Sequence, residues 1–240
     1  MDELTKLGQG LDSEQKSAVE GMIRDMFMAR MKDEKREKVE RYRHLNTMVR
    51  PHQILFVGSS LMEQFPIYEL LLDQQLPYTI YNRGIGGYTT QELLESLDVC
   101  VYDLQPDKIF INIGTNDLNT PDYSEEGLID RYRRILLAIR EHLPEARIYM
   151  MAYYPGNPEV AQKNPFMAGM LQQRTNARIA SANAAVKRLA DELGNTFIDC
   201  NAGITDEKGQ MKAQYAIEGV HMYGDGYAPV LEALKPYLAD

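Results

Sequence analysis

The chain has 240 residues, of which 44% are apolar and 25% charged, and its formal net charge is −9. This is the composition of an ordinary globular protein that can bury one large core. Residues 51–240 carry 15 basic and 25 acidic side chains. That balance argues against a surface for nucleic acid or anionic membranes, because such surfaces need clustered Lys and Arg.

The N-terminal sequence MDELTKLGQGLDSEQ lacks the basic start and apolar run of a signal peptide, and the sequence has no run of 18 apolar residues. A cytoplasmic location is therefore expected. Cys100 and Cys200 stand alone, without CxxC spacing. They predict neither a disulfide framework nor a zinc site, and both are expected to be small buried residues.

Residues 12–46 are predicted to be helical. Asp12 or Ser13 can cap the start, and apolar residues recur at helical spacing from Ala18 to Phe27. The run Lys32–Arg43 then mixes both signs of charge. One interpretation is a helix laid on the main domain with a solvated continuation; the other is a dimer interface or a cover over a site. We predict a homodimer through these helices, testable by sedimentation of full-length and truncated protein.

From residue 51 onward, strand and helix patterns alternate. Four consecutive apolar residues, Ile54 to Val57, predict a strand buried on both faces. The other predicted strands are Tyr78–Asn82, Lys108–Ile113, Arg147–Ala152 and Thr196–Asp199. The predicted helices are Pro66–Gln75, Thr89–Tyr102, Ser124–His142, Thr175–Leu193 and Tyr227–Leu238. The pattern shows no convincing hairpin, so it predicts a parallel sheet covered on both faces: an α/β domain at 51–240 after a helical extension at 1–50.

The connection Tyr153–Arg174 is too long for a plain turn. Loops of that size tend to be functional or disordered. Because it leaves the carboxyl end of the fourth predicted strand, it is a candidate wall of the substrate site.

Four short motifs lie at one edge of the predicted sheet, where ligands bind in parallel sheets. They are Gly58-Ser59-Ser60, the NRGIGG run at 82–87, Gly114-Thr115-Asn116-Asp117 and the EGVH run at 218–221. Each is weak alone, since the first and third are compatible with simple turns. The second fails as a dinucleotide fingerprint because Thr89 stands where a glycine is needed, and no Walker A pattern exists.

Together these motifs contain the groups that acyl transfer requires. A serine hydroxyl is a poor nucleophile until a histidine takes its proton, and a carboxylate keeps that histidine in the correct tautomer. Glu218 lies three residues before His221, close enough to reach its second ring nitrogen. The Gly87 N–H and the Asn116 amide are candidate donors to a negatively charged oxygen in the transition state.

This ordered set, followed by Gly226-Tyr227, resembles the SGNH (GDSL-like) hydrolases, and most closely the bacterial acylhydrolases related to platelet-activating-factor acetylhydrolase catalytic subunits. The resemblance runs from residue 53 to the C-terminus. It implies a three-layer α/β/α sandwich around a five-stranded parallel, flavodoxin-like sheet. It also implies serine ester hydrolysis without a metal or other cofactor.

Carried over from the family, the nucleophile falls on Ser60 and the catalytic base on His221. The oxyanion donors fall on the Ser60 N–H, Gly87 and Asn116. The sequence departs from the family at Ser59, which replaces the usual aspartate of the triplet. It also departs at Glu218, where the family usually has aspartate; a Ser-His-Glu triad is chemically sound but needs a different geometry. The alternative is that Glu218 points to solvent. Asp117 is expected to cap the loop that follows it.

The leading hypothesis is a cytoplasmic serine esterase that cleaves short acyl groups, such as acetyl on a sugar, through an acyl-enzyme. Arg83 and Tyr88 are predicted to shape the pocket, with Arg83 holding an anionic part of the substrate. A non-catalytic or weakly active binding protein of the same fold is the alternative. A third possibility, a phosphoesterase, would need an acidic metal cluster, which the sequence does not signal.

Overall fold

The computed structural model describes residues 12–240. They form two compact units, residues 12–41 and Tyr42–Asp240, and helix α1 (Ser13–Asn46) contributes to both. The domain division predicted at residue 50 stays a prediction. The prediction of no signal peptide rests largely on residues 1–11, which lie outside the described residues. None of the described helices is both long enough and apolar enough to span a bilayer.

The second unit is built on a parallel sheet of five strands, as predicted, and the strand order is β2-β1-β3-β4-β5. The strands are β1 (Ile54–Gly58), β2 (Ile80–Gly84), β3 (Lys108–Asn112), β4 (Arg147–Met151) and β5 (Thr196–Ile198). Strand β2 lies later in the chain than predicted, because its pairing with β1 continues to Gly84. The polar residues Asn82 and Arg83 do not interrupt the strand, since both find hydrogen-bond partners inside the protein.

Helices connect the strands and cover both faces of the sheet. They are α2 (Ser60–Glu63), α3 (Ile67–Asp73), α4 (Thr90–Leu94), α5 (Leu97–Cys100), α6 (Glu125–His142), α7 (Pro158–Ala161), α8 (Pro165–Gln173), α9 (Asn176–Leu193) and α10 (Tyr227–Ala239). Short 3-10 turns occur at Tyr102–Leu104, Asp117–Asn119 and Gly224–Gly226. The chain therefore folds as a three-layer α/β/α sandwich.

The single helix predicted at Thr89–Tyr102 is wrong, because the chain breaks it into α4, α5 and a 3-10 turn. The break comes at Ser96, whose hydroxyl donates to the carbonyl oxygen of Glu92 at 2.9 Å. A serine that bonds back to the preceding turn competes with the regular helical hydrogen bonds. Apolar spacing alone did not show this interruption.

The long connection after β4 contains helices α7 and α8. The side chains of Asn157 and Asn164 accept hydrogen bonds from the backbone of the turn that follows, and a proline occupies the first position of each helix. An asparagine cap followed by proline is a sequence signal for a helix start. The two Asn-Pro pairs could therefore have been recognised from the sequence.

The core lies on both faces of the two central strands. Every residue of β1 and β3 is buried, which explains why both strands contain consecutive apolar residues and do not alternate with polar ones. Ile54 and Phe56 belong to the cluster that β1 forms with α3 and α10, while α4 and α9 pack against α6. The Phe56 ring lies 5.2 Å from that of Phe110, centroid to centroid.

Both cysteines are buried and unpaired, as predicted. Burial raises the pKa of Cys100 to about 11 and that of Cys200 to about 12. Both thiols are therefore protonated at neutral pH, and neither has the thiolate character of a reactive cysteine.

The strand order determines which loops meet at the carboxyl edge of the sheet. Strand β1 pairs with β2 on one side and β3 on the other. The loop after β1 therefore lies between the loop that contains Gly87 and the loop that contains Asn116. Ser60 comes immediately after β1, so the topology places it at the centre of this edge.

Candidate active site

Ser60 is the first residue of helix α2, where the chain turns out of β1. A side chain at Gly58 would collide with the carbonyl oxygen of Asn112 and with Met62, so this close approach between strand and helix requires glycine. The neighbouring Ser59 is 1% exposed, and its hydroxyl has no hydrogen-bond partner. The turn thus buries Ser59 and leaves Ser60 at the site.

A chain of hydrogen bonds joins three of the predicted residues. The Nε2 atom of His221 lies 2.9 Å from Ser60 Oγ, and its Nδ1 atom lies 2.6 Å from Glu218 Oε1. When Nδ1 carries the proton and donates to Glu218, the Nε2 lone pair faces the serine hydroxyl. This is the arrangement in which an imidazole can act as a base toward serine.

Glu218 is the residue whose orientation the sequence left open. Its side chain is only 17% exposed, and its Oε1 atom also accepts the backbone N–H of His221 at 3.1 Å. Burial alone would raise the pKa of Glu218, but the hydrogen bonds and charge interaction with His221 hold that pKa below its usual value. Gly219, with φ of +95°, allows the loop between these residues to turn back on itself.

The candidate oxyanion donors follow the neighbouring strands β2 and β3 or lie at the start of α2. Gly87 has φ of +73°, in the left-handed region that glycine favours. The Asn116 side-chain amide donates one hydrogen to the Tyr88 carbonyl oxygen at 2.9 Å. Since an amide carries two N–H groups, this bond fixes its orientation and leaves a second donor. Ser60 is the first residue of α2, so its own N–H has no partner within that helix.

Two residues that support the Gly87 loop were not predicted to have a site role. Glu63, at the end of the helix that begins with Ser60, accepts the Gly86 N–H at 2.5 Å. Asn82 donates to the Met62 carbonyl oxygen at 2.6 Å and accepts the Gly84 N–H at 2.9 Å. The helix that carries the serine and the loop that carries the candidate donor are thereby held together. Only Asn82 carried a sequence signal, as the first residue of NRGIGG.

Asp117 was predicted to cap the loop that follows it, and its main contacts are elsewhere. Its carboxylate is 2% exposed and accepts hydrogen bonds from the backbone N–H and the hydroxyl of Thr90. It also pairs with Arg131 at 3.2 Å. Asp117 therefore ties the Asn116 segment to the start of α4, which follows the Gly87 loop.

The structure gives Arg83 partners inside the protein. It is 4% exposed, its Nε donates to Asn46 Oδ1 at 2.9 Å, and its guanidinium lies over the ring of Tyr42 with a centroid distance of 5.0 Å. These contacts speak against the predicted role in holding an anionic substrate. Tyr88 is 5% exposed. Tyr88 contacts the candidate site through its backbone carbonyl oxygen, which accepts a hydrogen bond from the Asn116 side chain.

Comparison with known proteins points to one family. The model of the GDSL-like Lipase/Acylhydrolase family matches residues 56–228. The alpha2 subunit of Homo sapiens platelet-activating factor acetylhydrolase IB is 27% identical over 183 residues, which are 75% of this chain and 73% of the relative. The region that the family model matches, residues 56–228, includes all four motifs at the sheet edge.

Solved structures share the fold. A Streptococcus pneumoniae protein described as a candidate platelet activating factor has a TM-score of 0.81 and 32% identity, covering 91% of this chain and 99% of that chain. Axe2, an acetylxylan esterase from Geobacillus stearothermophilus, has a TM-score of 0.57 and 20% identity, covering 80% and 96%. At that identity the second likeness shows the fold alone.

Proposed function

The chain belongs to the GDSL-like lipase/acylhydrolase family, and we propose that it cleaves short-chain carboxylic esters, such as O-acetyl groups, through an acyl-enzyme on Ser60. The observation that carries the proposal is the hydrogen-bonded chain from Ser60 Oγ through His221 to Glu218. The family supports ester hydrolysis in general. The nucleophile, the triad and the acyl length are our proposals.

The proposed reaction begins when His221 Nε2 takes the proton of the Ser60 hydroxyl. The serine oxygen attacks the ester carbonyl, and the negative charge that forms on the carbonyl oxygen is stabilised by hydrogen-bond donors. His221 then gives its proton to the departing alcohol, which leaves the acyl group on Ser60. A water molecule, deprotonated by the same imidazole, attacks the acyl-enzyme; the bond to Ser60 Oγ breaks, His221 returns the proton to that oxygen, and the acid is released. Glu218 stabilises the imidazolium at each stage.

The proposed oxyanion donors are the Ser60 and Gly87 N–H groups and the Asn116 amide. We expect Asn116→Ala to lower kcat by about 100- to 1,000-fold, with a much smaller change in KM, because the donor acts mainly on charge that develops in the transition state. Steady-state hydrolysis of p-nitrophenyl acetate measures both constants. Asn116→Asp is the matched variant: it keeps the size of the side chain but replaces the donor with a carboxylate, and should be similarly impaired. A kcat close to wild type in both variants would remove Asn116 from the site.

The preference for short acyl groups is supported by the position of Ser60 at the end of a strand, where an open cleft is expected. The name of one relative, platelet-activating factor acetylhydrolase IB, also refers to an acetyl group. A series of p-nitrophenyl esters from acetate to laurate tests this preference. We expect kcat/KM to be highest for the shortest acyl chains, and a maximum at long chains would contradict the proposal.

The alternative is a protein of the same fold that binds a ligand without efficient chemistry. The reason for this alternative was that glutamate replaces the usual aspartate at position 218. The 2.6 Å contact between Glu218 and His221 weakens that reason. A fluorophosphonate probe separates the two functions, because it reacts with an activated serine. Mass spectrometry should find the probe on Ser60; an unlabelled serine would favour the binding protein.

A further inference from the structure

Among the residues that the structure describes, Arg174 is a buried cation with no ion pair or side-chain hydrogen bond, and the nearby carboxylate of Glu218 acts on it only through its charge. Arg174 is 3% exposed, and its Nε atom is buried without a hydrogen bond. Burying a charge is costly unless that charge is paired and hydrogen-bonded. Arg83, in contrast, has its polar contacts satisfied by the protein.

The chain around Arg174 is held against the loop that carries Glu218 and His221. The side chain of Asn176 accepts the Gly156 N–H at 2.8 Å and donates to the Gly156 carbonyl oxygen at 3.0 Å. Asn157, which follows Gly156, donates its backbone N–H to the Gly219 carbonyl oxygen at 2.7 Å. The segment that follows helix α8 is thus linked to one half of the candidate active site.

The same segment also contacts the other half of the site. Helix α8, which ends just before Arg174, packs against the 3-10 turn Asp117–Asn119 that follows Asn116. One turn further along, Arg178 Nη1 donates to the Leu118 carbonyl oxygen at 3.4 Å. Arg174 therefore lies in a segment that bridges the Asn116 and His221 loops.

A second unsatisfied group lies on that turn. The side-chain nitrogen and oxygen of Asn119 are both buried without a hydrogen-bond partner. Buried polar groups nearly always have partners, so this amide, on the turn that packs against α8, is available to hydrogen-bond a polar ligand. An oxyacid anion that also bears a hydroxyl would satisfy the donors of Arg174 and Asn119 and the amide oxygen.

We propose that Arg174 and Asn119 form a subsite for a carboxylate or phosphate group on the ester substrate, beside Ser60. This inference rests on the proposed esterase function and narrows its substrates to anionic esters, such as acetylated acidic sugars. Arginine suits the role because its planar fork binds both kinds of oxyacid group through two hydrogen bonds.

The charge of Arg174 is retained at neutral pH. Burial lowers the pKa of its guanidinium to about 10, while the nearby Tyr153 and Glu218 act in the opposite direction. The side chain is therefore still a cation under physiological conditions. Its partial desolvation strengthens its attraction for an anion relative to an arginine in open solvent.

Matched pairs of esters test the subsite. The 2-, 3- and 4-acetoxybenzoates are compared with the corresponding acetoxybenzamides, and acetoxyphenyl phosphates form a separate arm. We expect wild-type kcat/KM to favour at least one anionic ester over its neutral partner by about tenfold or more, as for a hydrogen bond to a charged group. The set of esters, benzoates or phenyl phosphates, that shows the larger preference over its neutral partners identifies whether the subsite binds carboxylate or phosphate. Equal rates for all pairs would overturn the proposal.

The variant Arg174→Gln should lose this preference, mainly through a higher KM for the anionic ester. Arg188→Gln is the matched control, because it removes the same charge from the exposed surface of helix α9, where the side chain is 70% exposed, and it should keep the preference. If Arg174→Gln retained the preference, the subsite would be refuted. Failure of the esterase function would look different: neutral esters would not be hydrolysed and Ser60 would not react with a fluorophosphonate.

Ligand-induced thermal stabilisation provides a measurement that needs no activity. A ligand that binds only the folded state raises Tm. At constant ionic strength, benzoate or phenyl phosphate should raise the Tm of the wild-type protein, whereas benzamide should not. The same comparison on wild type decides the matter even if Arg174→Gln fails to fold, since no difference between the anions and benzamide would count against the subsite.

Discussion

Replacing Ser60 with alanine is expected to lower kcat for p-nitrophenyl acetate by about 10⁴-fold or more. The alanine variant lacks the oxygen that would form the acyl-enzyme, so only the oxyanion donors and substrate binding can still accelerate the reaction. The fold should survive, because the hydroxyl lies at the site and is not part of the core. Steady-state kinetics and circular dichroism on the same preparation measure both effects.

The adjacent serine provides a control with the same chemical change. The Ser59 hydroxyl is buried and makes no hydrogen bond. Ser59→Ala should therefore retain activity within about twofold and should still react with a fluorophosphonate probe, since the substitution removes no satisfied polar group. If Ser59→Ala were inactive and Ser60→Ala active, the nucleophile would be assigned to the wrong residue.

The second large effect is expected at Glu218. Glu218→Gln should lower kcat by about 100- to 10,000-fold, because an amide can donate a hydrogen to Nδ1 and thereby favour the wrong imidazole tautomer. The loss should appear in kcat more than in KM, since the residue acts through His221 and does not contact the ester. A variant with unchanged kcat would show that His221 is oriented by something else.

Glu218→Asp is the conservative partner of that variant. It keeps the carboxylate and introduces the residue that the resemblance to SGNH hydrolases leads one to expect, but it shortens the side chain by one methylene. In this structure the glutamate reaches Nδ1 at 2.6 Å, so the shorter side chain should restore part of the activity and not all of it. Activity as low as that of Glu218→Gln would indicate that reach matters more than charge.

The lowered pKa of Glu218 also predicts how its contribution to stability varies with pH. A carboxylate whose pKa is lower in the folded state stabilises the protein above its unfolded-state pKa of about 4.3, and that contribution is lost as the pH falls through the folded-state pKa. The difference in unfolding free energy between wild type and Glu218→Gln should therefore shrink in acid. Urea unfolding at pH 7 and near pH 3 measures it, because the loss occurs below the unfolded-state pKa.

Local sequence patterns were sufficient for most of the sheet. Strands β1 and β3 were predicted because a strand buried on both faces has consecutive apolar residues: four in β1, followed by glycine, and three in β3. Helix α4 and its neighbours were predicted as one element, since the hydrogen bond from Ser96 to the preceding turn is invisible in apolar spacing. The Asn-Pro pairs that begin α7 and α8 are visible in the sequence, but this region was predicted to be a loop.

In the candidate site, too, some residues were predicted from local motifs and others were placed only by the structure. Ser60, Asn116 and His221 follow motifs whose order in the chain and position after strands can be recognised without a structure. Arg83 was predicted to meet the substrate, yet the structure buries it against Asn46 and Tyr42. Arg174 belongs to no recognisable sequence motif. Whether it forms an ion pair depends on which carboxylates the fold brings near it. Pairing between charges distant in sequence cannot be deduced from either residue alone.

The sequence by itself determined the class of fold, the edge of the sheet that carries the site and the residue types available for ester chemistry, because these depend on local periodicity and on short motifs. Only the tertiary structure decided that the carboxylate of Glu218 lies against His221 and that Ser59 is buried while Ser60 is presented to the imidazole. It also decided that Arg174 forms no ion pair among the described residues. Those outcomes depend on hydrogen bonds a few ångströms long between loops that come together only when the sheet is assembled.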